Sequence, residues 1–275
     1  MKQKPKIGLA LGSGASRGFA HIGVLQVMEE IGLIPDYIAG SSMGSIIGAL
    51  YASGMTPKMM EGIAMNMDAK LCYDLGLSRR GFIQGKKVEE LIKMLTRDMD
   101  FKDLKIPLAV TAVDLITNER VIIREGKVYK GVRASISIPG IFQPVIDGDR
   151  VLVDGGILER VPVNVVREMG ADVVIGVDVA FRGRHRPPET FIETILQTME
   201  VMELEIIKHN IPNDDIIITP EVYLPNPMSL DSVEIAVEAG KKAAWKVMDK
   251  LKALVDGDDY ESIPDAAGEA SAAGQ

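Results

Sequence analysis

The stretch YIAGSSMGSIIGALYASG, residues 37–54, decides how this chain folds. An apolar run ends at Gly40, the sequence G-S-S-M-G follows, and a helical pattern of small and apolar residues comes directly after it. When a strand turns into a helix through G-x-S-x-G, the serine hydroxyl projects at the carboxyl edge of the sheet. The stretch therefore predicts a strand, a sharp turn at Ser42 and a helix.

Ser42 has two interpretations on this stretch alone. It is a nucleophile, with Gly40 and Gly44 allowing the sharp turn, or the serines belong to a helix cap in which Ser41 or Ser42 is the N-cap. As a nucleophile it would lie at the amino end of the helix, where negative charge is stabilised. The amide of Met43, the next residue, would then donate to the developing oxyanion.

Apolar runs of strand length alternate with helix-length segments along the chain. Strands are predicted over residues 7–11, 37–40, 106–113, 120–124, 151–153, 172–179 and 216–219. Helices are predicted over residues 17–30, 43–52, 57–67, 86–95, 129–138, 163–169, 189–209 and 231–255. Such alternation predicts an α/β fold, a three-layer α/β/α sandwich with a mostly parallel central sheet.

The length and composition fit one α/β domain. The chain has 275 residues, of which 47% are hydrophobic, so it can bury a large core. Residues 256–275 have almost no large apolar side chains. We expect residues 1–255 to form the domain and residues 256–275 to be a disordered tail.

The net charge and the cysteine content bear on partners and compartment. A net charge of −8 argues against nucleic-acid binding and disfavours broad electrostatic adhesion to membranes, but it permits local hydrophobic contact. Cys72 is the single cysteine, which fits a reducing compartment. The apolar run at residues 7–11 is too short for a signal peptide, and no segment reaches the ~18 apolar residues of a membrane span. These features predict a soluble, cytoplasmic protein.

The loop LGSGASRGFAH, residues 11–21, is the second candidate element. Gly12, Gly14 and Gly18 are spaced G-x-G-x-x-x-G, one residue longer than the dinucleotide fingerprint, and the loop lacks the G-K-[ST] of a P-loop. A loop of small residues between a strand and a helix can instead direct several backbone N–H groups at one oxyanion. Arg17 either lies on the surface, holds the loop in shape or meets an anionic substrate.

A nucleophilic Ser42 needs a proton acceptor, and the histidines are in unpromising positions. His21 lies early in the first predicted helix, where it is expected to support the loop. His185 falls in a charged loop, and His209 falls at a helix end, where a cation is favoured in any case. A structural role is the expectation for all three.

Asp154 is the best carboxylate candidate. In RVLVDGGILERVP it ends a short apolar strand and precedes Gly155 and Gly156, which permit a close approach of backbones. A carboxylate at this strand end is expected at the same sheet edge as Ser42. The alternative is an ordinary Asp-Gly turn.

Together these segments resemble the patatin-like phospholipases, a family of acyl hydrolases. The matching blocks are the loop with Arg17 and Gly18, the turn GSSMG, the run Asp154-Gly155-Gly156, and the segment ASISIPGIFQPV that starts at Ala134. The order and spacing of the blocks match, and the resemblance covers residues 6–180 well and extends more weakly to 255. The chain looks most like the small bacterial members.

The resemblance implies a patatin-like fold and a serine acyl hydrolase of the lipase, phospholipase or esterase type. It implies a dyad of Ser42 and Asp154 without histidine, an acyl-enzyme intermediate, and oxyanion amides at Ser13, Gly14 and Ala15. The chain departs from the family here, because Ser13 and Ala15 replace common glycines. If position 15 requires a positive φ, Ala15 is strained.

No cofactor is required by this chemistry, and no metal-ligand spacing is present in the sequence. The expected partner is a lipid or acyl-ester substrate, with transient contact to a membrane surface. The Met-rich segment at residues 54–71 is either a core helix or a flexible apolar cover over an acyl channel.

Three other functions stay open. One is a Ser–Asp–His hydrolase that uses His185 or His209 after Asp154. Another is a lipid- or acyl-binding protein without catalysis, for which the altered loop is the one positive indication. A nucleotide-binding protein is disfavoured by the glycine spacing.

Overall fold

The computed structural model describes residues 4–68, 74, 81–183, 186–210, 215–224, 233–258, 260 and 263, without the side chains of residues 209 and 210. Cys72, His185 and most of the predicted tail therefore lie outside the described residues, as does the side chain of His209.

The described residues form an eight-stranded, mostly parallel sheet. Its strands are β1 (Ile7–Leu11), β2 (Tyr37–Gly40), β3 (Leu108–Asp114), β4 (Glu119–Ile123), β5 (Val145–Asp147), β6 (Arg150–Asp154), β7 (Val173–Val177) and β8 (Ile216–Ile218). Strands β3, β2, β1, β7 and β8 are parallel neighbours in that order, whereas β4 and β6 pair antiparallel to β3 and β5 pairs antiparallel to β6. The predicted fold class is confirmed.

Helices cover both faces of this sheet. They are α1 (Ala20–Glu30), α2 (Met43–Ala52), α3 (Pro57–Met65), α4 (Lys86–Leu95), α5 (Val128–Ser135), α6 (Val163–Glu168), α7 (Phe191–Asn210), α8 (Val233–Lys246) and α9 (Met248–Asp256). Short 3₁₀ helices at Ala15–Phe19 and Gly155–Ile157 follow β1 and β6. The alternation of buried residues explains the layers: Leu9 and Leu11 join one apolar cluster, while Ala10 between them joins the cluster on the other face.

Several predicted elements differ from the structure, and one strand was not predicted. The helix predicted from residue 17 begins at Ala20, because the residues before it form a 3₁₀ turn. The helix predicted over residues 231–255 is divided into α8 and α9 at Val247. Strand β5 was not predicted, since its three residues are mostly exposed and are ordered by pairing with β6.

Strands β2 and β6 meet along one edge of β3. At Val110, β3 pairs with β4 on one side and with Gly40 of β2 on the other. At Ala112, it pairs again with β4 on the first side and with Asp154 of β6 on the second. Because β2 is parallel to β3 and β6 is antiparallel, their carboxyl ends point toward each other. This convergence positions the candidate site.

Candidate active site

Ser42 lies at the turn between β2 and α2 in a strained conformation. Its φ of 51° and ψ of −123° are unusual for a residue with a side chain, and such strain costs on the order of 1–3 kcal/mol. The residue is 3% exposed, and its backbone N–H donates to Ser135 Oγ at 3.0 Å. The Ser42 side chain makes no capping hydrogen bond, so its hydroxyl does not act as a helix cap.

The flanking glycines are required by close backbone approach. A Cβ on Gly40 would lie 2.5 Å from the carbonyl oxygen of Gly44, and a Cβ on Gly44 would lie 2.1 Å from the carbonyl oxygen of Leu11. No side chain fits at either position without moving the backbone. The glycines therefore let α2 pack against the end of β1 and fix the direction of the Ser42 side chain.

The hydroxyl of Ser42 donates a hydrogen bond to Asp154 Oδ2 at 2.6 Å. Asp154 is 4% exposed, and its other oxygen, Oδ1, accepts the Gly156 N–H at 2.8 Å. A Cβ on Gly155 would lie 2.3 Å from Thr111 Oγ1. The two glycines thus permit the close approach that the sequence suggested, and the structure brings together the two residues that the resemblance paired.

Burial changes the acidity of Asp154. Removal from water raises the pKa of its carboxyl to about 6, while the hydrogen bonds from Ser42 and from the Gly156 N–H and the charge of Arg160 oppose the rise. At neutral pH the carboxylate form still predominates. Its raised pKa makes it a better proton acceptor than an exposed aspartate.

The glycine-rich loop offers fewer free amides than predicted. The Ser13 N–H donates to the carbonyl of Arg160 at 2.8 Å, so Ser13 is not placed as an oxyanion donor, and this prediction is corrected. The amides of Gly14, Ala15 and Met43 have no acceptor within the part of the chain that the structure describes. These three N–H groups lie on the two turns that border Ser42.

Ala15 has a positive φ of 49°, the left-handed conformation that favours glycine. The sequence predicted strain at Ala15 if this position, where the resembling family has glycine, required a positive φ. The Ala15 backbone is therefore in an unfavourable conformation, and the residue lines both cavities at Ser42.

His21 supports the loop from below. It is fully buried, and its Nε2 lies 2.8 Å from the carbonyl oxygen of Gly12, to which it donates because a carbonyl can only accept. Burial lowers the pKa of His21 to about 4, so the ring is neutral. This is the structural role that the sequence predicted. The Nε2 of His21 is bonded to the loop carbonyl, and the Ser42 hydroxyl donates to Asp154 instead.

Two buried arginines tie helix α7 to the site. Arg17 Nη2 lies 2.5 Å from Glu200 Oε1, and Arg160 pairs with Glu203 on the next turn of α7. Arg17 is buried, so the surface interpretation is wrong and the loop-holding role fits. Sequence reasoning missed Arg160 and both glutamates. The one indication of the two glutamates was their spacing, three positions apart on a predicted helix, which is also common on solvent-exposed helices. Nothing in the sequence indicated Arg160.

Ser42 lines two cavities, and charged side chains contribute to one of them. One is apolar, with a volume of about 130 Å³. It extends from Ser42 between helices α2, α3 and α4 and is lined by side chains that include Phe19, Ile47, Met60, Ala64, Ile92 and Phe142. The other, the polar cavity, has a volume of about 80 Å³ and is lined by the charged side chains of Asp154, Arg17, Arg160, Glu200 and Glu203 together with apolar side chains such as Ile138, Leu196 and Met199.

The Met-rich segment contributes to the apolar cavity. Met60 and Ala64 of α3 are buried, and Ile63 and Met67 are partly buried, and all four line the cavity. The described part of the segment is therefore both a core helix and one wall of a channel that starts at the serine.

The described residues contain no group of three or more His, Cys, Asp or Glu side chains placed to hold a metal ion. None of their helices is long and apolar enough to cross a bilayer.

Comparison with known proteins identifies similar sequences. The family model of the patatin-like phospholipases matches residues 9–167, more than half of the chain, a range that includes Ser42 and Asp154. An uncharacterised NTE family protein of Mycobacterium bovis is 35% identical over 179 residues, which are 64% of this chain and 49% of the relative. The mouse protein named patatin-like phospholipase domain-containing protein 6 is 33% identical over 181 residues, 63% of this chain and 13% of the relative.

Solved structures share the fold. The crystal structure of VipD from Legionella pneumophila superposes with a TM-score of 0.64 at 13% sequence identity, covering 90% of this chain and 67% of that one. At this identity the likeness concerns the fold alone. The chain spans about half the length of the mycobacterial relative and a small part of the mouse protein.

Proposed function

Because the chain belongs to the patatin-like phospholipase family, we propose that it is a serine acyl hydrolase that cleaves acyl esters of lipids. The observation that carries the proposal is the 2.6 Å hydrogen bond from Ser42 Oγ to Asp154 Oδ2 beside an apolar cavity. A serine bonded directly to a buried carboxylate has a proton acceptor in place, and the adjoining cavity suits an acyl chain.

In the first step, Ser42 Oγ attacks the carbonyl carbon of the ester as Asp154 accepts the hydroxyl proton. The carbonyl oxygen becomes an oxyanion, which the amides of Gly14, Ala15 and Met43 stabilise together with the amino end of α2. The intermediate then collapses: the ester C–O bond breaks, and the leaving alcohol takes the proton from Asp154. An acyl-Ser42 ester remains.

In the second step, water is the nucleophile. Asp154 accepts a proton from the water as its oxygen attacks the acyl carbon, and the same amides stabilise the second oxyanion. When the intermediate collapses, Ser42 Oγ leaves and recovers its proton from Asp154. The fatty acid is released and the enzyme returns to its starting state without a cofactor or a metal.

We infer the orientation of the substrate from the two cavities that reach Ser42. The apolar cavity, lined by Met43, Met60 and Phe142, takes the acyl chain, because burying each CH₂ group contributes about 0.8 kcal/mol. The leaving group points toward the polar cavity beside Arg17 and Glu200. Both cavities reach Ser42, so the ester carbonyl would lie at their junction.

A lipid- or acyl-binding protein without turnover is the second candidate. The observations that favour it are the engaged amide of Ser13 and the positive φ of Ala15, since each makes the oxyanion loop less suited to catalysis than a run of glycines. A Ser–Asp–His triad has less support, because Ser42 donates to the carboxylate directly.

Further parts of the proposal concern the whole chain. We infer that residues 1–255 constitute the catalytic domain, that it works in the cytoplasm, and that it touches membrane surfaces transiently when it takes up lipid. The single cysteine and the net charge of −8 support the compartment and the absence of nucleic-acid partners.

Turnover tests the choice between the two candidates. We expect the purified protein to hydrolyse p-nitrophenyl esters and mixed-chain phospholipids over many catalytic cycles, and the Ser42→Ala variant to lose this activity while it still binds a fluorescent fatty acid. Binding without turnover in the wild-type protein would favour the silent candidate. Equal turnover by Ser42→Ala would exclude Ser42 as the nucleophile.

A further inference from the structure

Ser135 is a fully buried serine that takes no part in the steps above. It is the last residue of α5, in the segment ASISIPG that starts at Ala134. Its Oγ accepts the backbone N–H of Ser42 at 3.0 Å, although the two residues are 93 positions apart in the chain. No backbone carbonyl among the described residues accepts that N–H. A buried N–H without an acceptor is costly, so the Ser135 hydroxyl supplies a partner that the backbone does not.

This hydrogen bond anchors the nucleophile in an unusual conformation. The φ of 51° and ψ of −123° at Ser42 belong neither to a strand nor to a helix. A strained backbone of this kind persists only where the surrounding structure over-determines it. Because φ relates the direction of the N–H to that of the Cα–Cβ bond, a fixed N–H also directs the side chain. The Ser42 side chain points to Asp154, with 2.6 Å between Oγ and Oδ2.

The same segment also contacts the base. The backbone N–H of Asp154 donates to the carbonyl of Ser137 at 3.0 Å. Ser137 is fully buried and lies two positions after Ser135. Residues 135–137 therefore bind the backbone of both members of the dyad, one through a side chain and the other through a carbonyl.

Arg133 ties this segment to its surroundings. Its buried guanidinium donates from Nη1 to Ser137 Oγ at 2.7 Å, and Ser137 Oγ donates in turn to the Arg133 carbonyl at 2.9 Å. Nη2 donates to the carbonyls of Gln84 and Gln143, at 2.7 Å and 2.9 Å. The end of α5 is thus bonded to two separate parts of the chain and forms a fixed support.

We propose that Ser135 is a positioning residue for the acyl transfer: by accepting the Ser42 N–H, its hydroxyl holds the strained serine so that Oγ points at Asp154. Ser135 is not among the described residues that line the two cavities, so it acts through Ser42 and not on the substrate. The inference rests on the proposed function, because it assigns Ser135 a role through the nucleophile of that reaction.

Steady-state kinetics on a short p-nitrophenyl ester test the inference. Ser135→Ala removes the acceptor, and we expect kcat to fall by roughly 10- to 100-fold, because displacing reacting groups by about 1 Å costs up to about 10²-fold in rate. KM and the binding of a fluorescent fatty acid should change little, since the cavity walls are unaltered. The rate of phosphonate labelling of Ser42 should fall in parallel with kcat.

Two conservative variants separate the hydrogen bond from packing. Ser135→Thr keeps the hydroxyl acceptor and should restore most of kcat. Ser135→Cys keeps nearly the same volume, but sulfur is a weak acceptor, so its kcat should fall as in Ser135→Ala. If Ser135→Ala does not fold, the kcat of Ser135→Cys decides alone.

Ser53→Ala is the matched control. Ser53 is 6% exposed at the other end of α2, its Oγ donates to the Leu50 carbonyl at 2.7 Å, and it is not among the described residues that line the cavities. This variant also removes a buried hydroxyl and its hydrogen bond, so it should lower thermal stability. Its kcat should equal that of the wild-type protein.

Two results would overturn the role of Ser135. One is a wild-type kcat and labelling rate in folded Ser135→Ala or Ser135→Cys, and the other is a loss of kcat in Ser53→Ala as large as that in Ser135→Ala. Turnover that survives Ser42→Ala would instead refute the proposed function itself.

Discussion

The Ser42 hydroxyl donates a 2.6 Å hydrogen bond to Asp154 Oδ2, although the two residues are 112 positions apart in the chain. The contact follows from how β3 is paired. Gly40 at the end of β2 lies opposite Val110, and Asp154 at the end of β6 lies opposite Ala112, along the same edge of that strand. The parallel and antiparallel neighbours of β3 thus bring the serine and the carboxylate together without any intervening histidine.

Ser42 should react with a serine-directed phosphonate. Its hydroxyl is bonded to a carboxylate, and the amides of Gly14, Ala15 and Met43 have no acceptor among the described residues, so the phosphonyl oxygen has donors to occupy. Intact-mass spectrometry should show one adduct on the wild-type protein and none on Ser42→Ala. Ser45→Ala is a suitable control, because the Ser45 hydroxyl donates to the Ser42 carbonyl instead. Equal labelling of the wild-type and Ser42→Ala proteins would refute the assignment.

Activity should depend on an ionised group with a pKa near that of Asp154. Burial raises the pKa of this carboxyl to about 6, and only the carboxylate form accepts the Ser42 proton. We therefore expect kcat/KM to fall as the pH drops through 6 and to level off above 7. The measurement is hydrolysis of a non-ionisable ester across the pH range, with folding monitored by circular dichroism. A flat profile from pH 5 to 8 would contradict the role of this carboxyl as the base.

Asp154→Asn should lower kcat without unfolding the protein. Asparagine has nearly the same shape but cannot accept the proton, and general-base catalysis typically contributes about 10²–10⁴-fold. His185→Ala and His209→Ala should leave kcat within a few-fold of the wild-type value. If either histidine variant stayed folded and lost as much activity as Asp154→Asn, a triad would replace the proposed dyad.

The sequence predicted the parts of the site that depend on local backbone geometry. Close backbone approach was predicted from four glycines, at residues 40 and 44 and directly after Asp154. A Cβ at any of them would clash with neighbouring atoms. The central strands were also predictable, because strands buried on both faces are continuous apolar runs. Local pattern and tertiary contact agree at these positions.

The remainder depends on contacts between distant residues. The amide of Ser13 is unavailable because Arg160 supplies a carbonyl acceptor, and nothing near residue 13 encodes that partner. Likewise, Arg17 and Glu200 are 183 positions apart, so their pairing is invisible to periodicity. Burial turned these ordinary surface residue types into parts of the site.

Ala15→Gly should not lower turnover and should raise it if the amide is misdirected. Ala15 has a φ of 49°, which glycine adopts without strain, and one oxyanion donor is typically worth roughly 10²–10³-fold in rate. The test compares kcat for a short p-nitrophenyl ester in the wild-type and Ala15→Gly proteins. Ala52→Gly, in the last turn of α2, is the control for the general cost of added backbone freedom. A large loss of kcat in folded Ala15→Gly would show that the methyl group is fitted to its loop.

Ala64→Leu should discriminate against long acyl chains. Ala64 is 5% exposed in α3 and lines the apolar cavity of about 130 Å³ that starts at Ser42, so three added carbons fill space that the substrate chain needs. In a series of p-nitrophenyl esters, kcat/KM should fall by roughly 10-fold or more for long chains, since each excluded CH₂ group forfeits about 0.8 kcal/mol, and should change little for acetate.

Ala253→Leu is the matched control: Ala253 is 7% exposed in α9 and does not line the cavity. Overpacking costs stability at both positions, so thermal unfolding must be measured for each variant. A uniform loss across all chain lengths in Ala64→Leu, or the same chain-length preference in Ala253→Leu, would show that the acyl chain lies elsewhere.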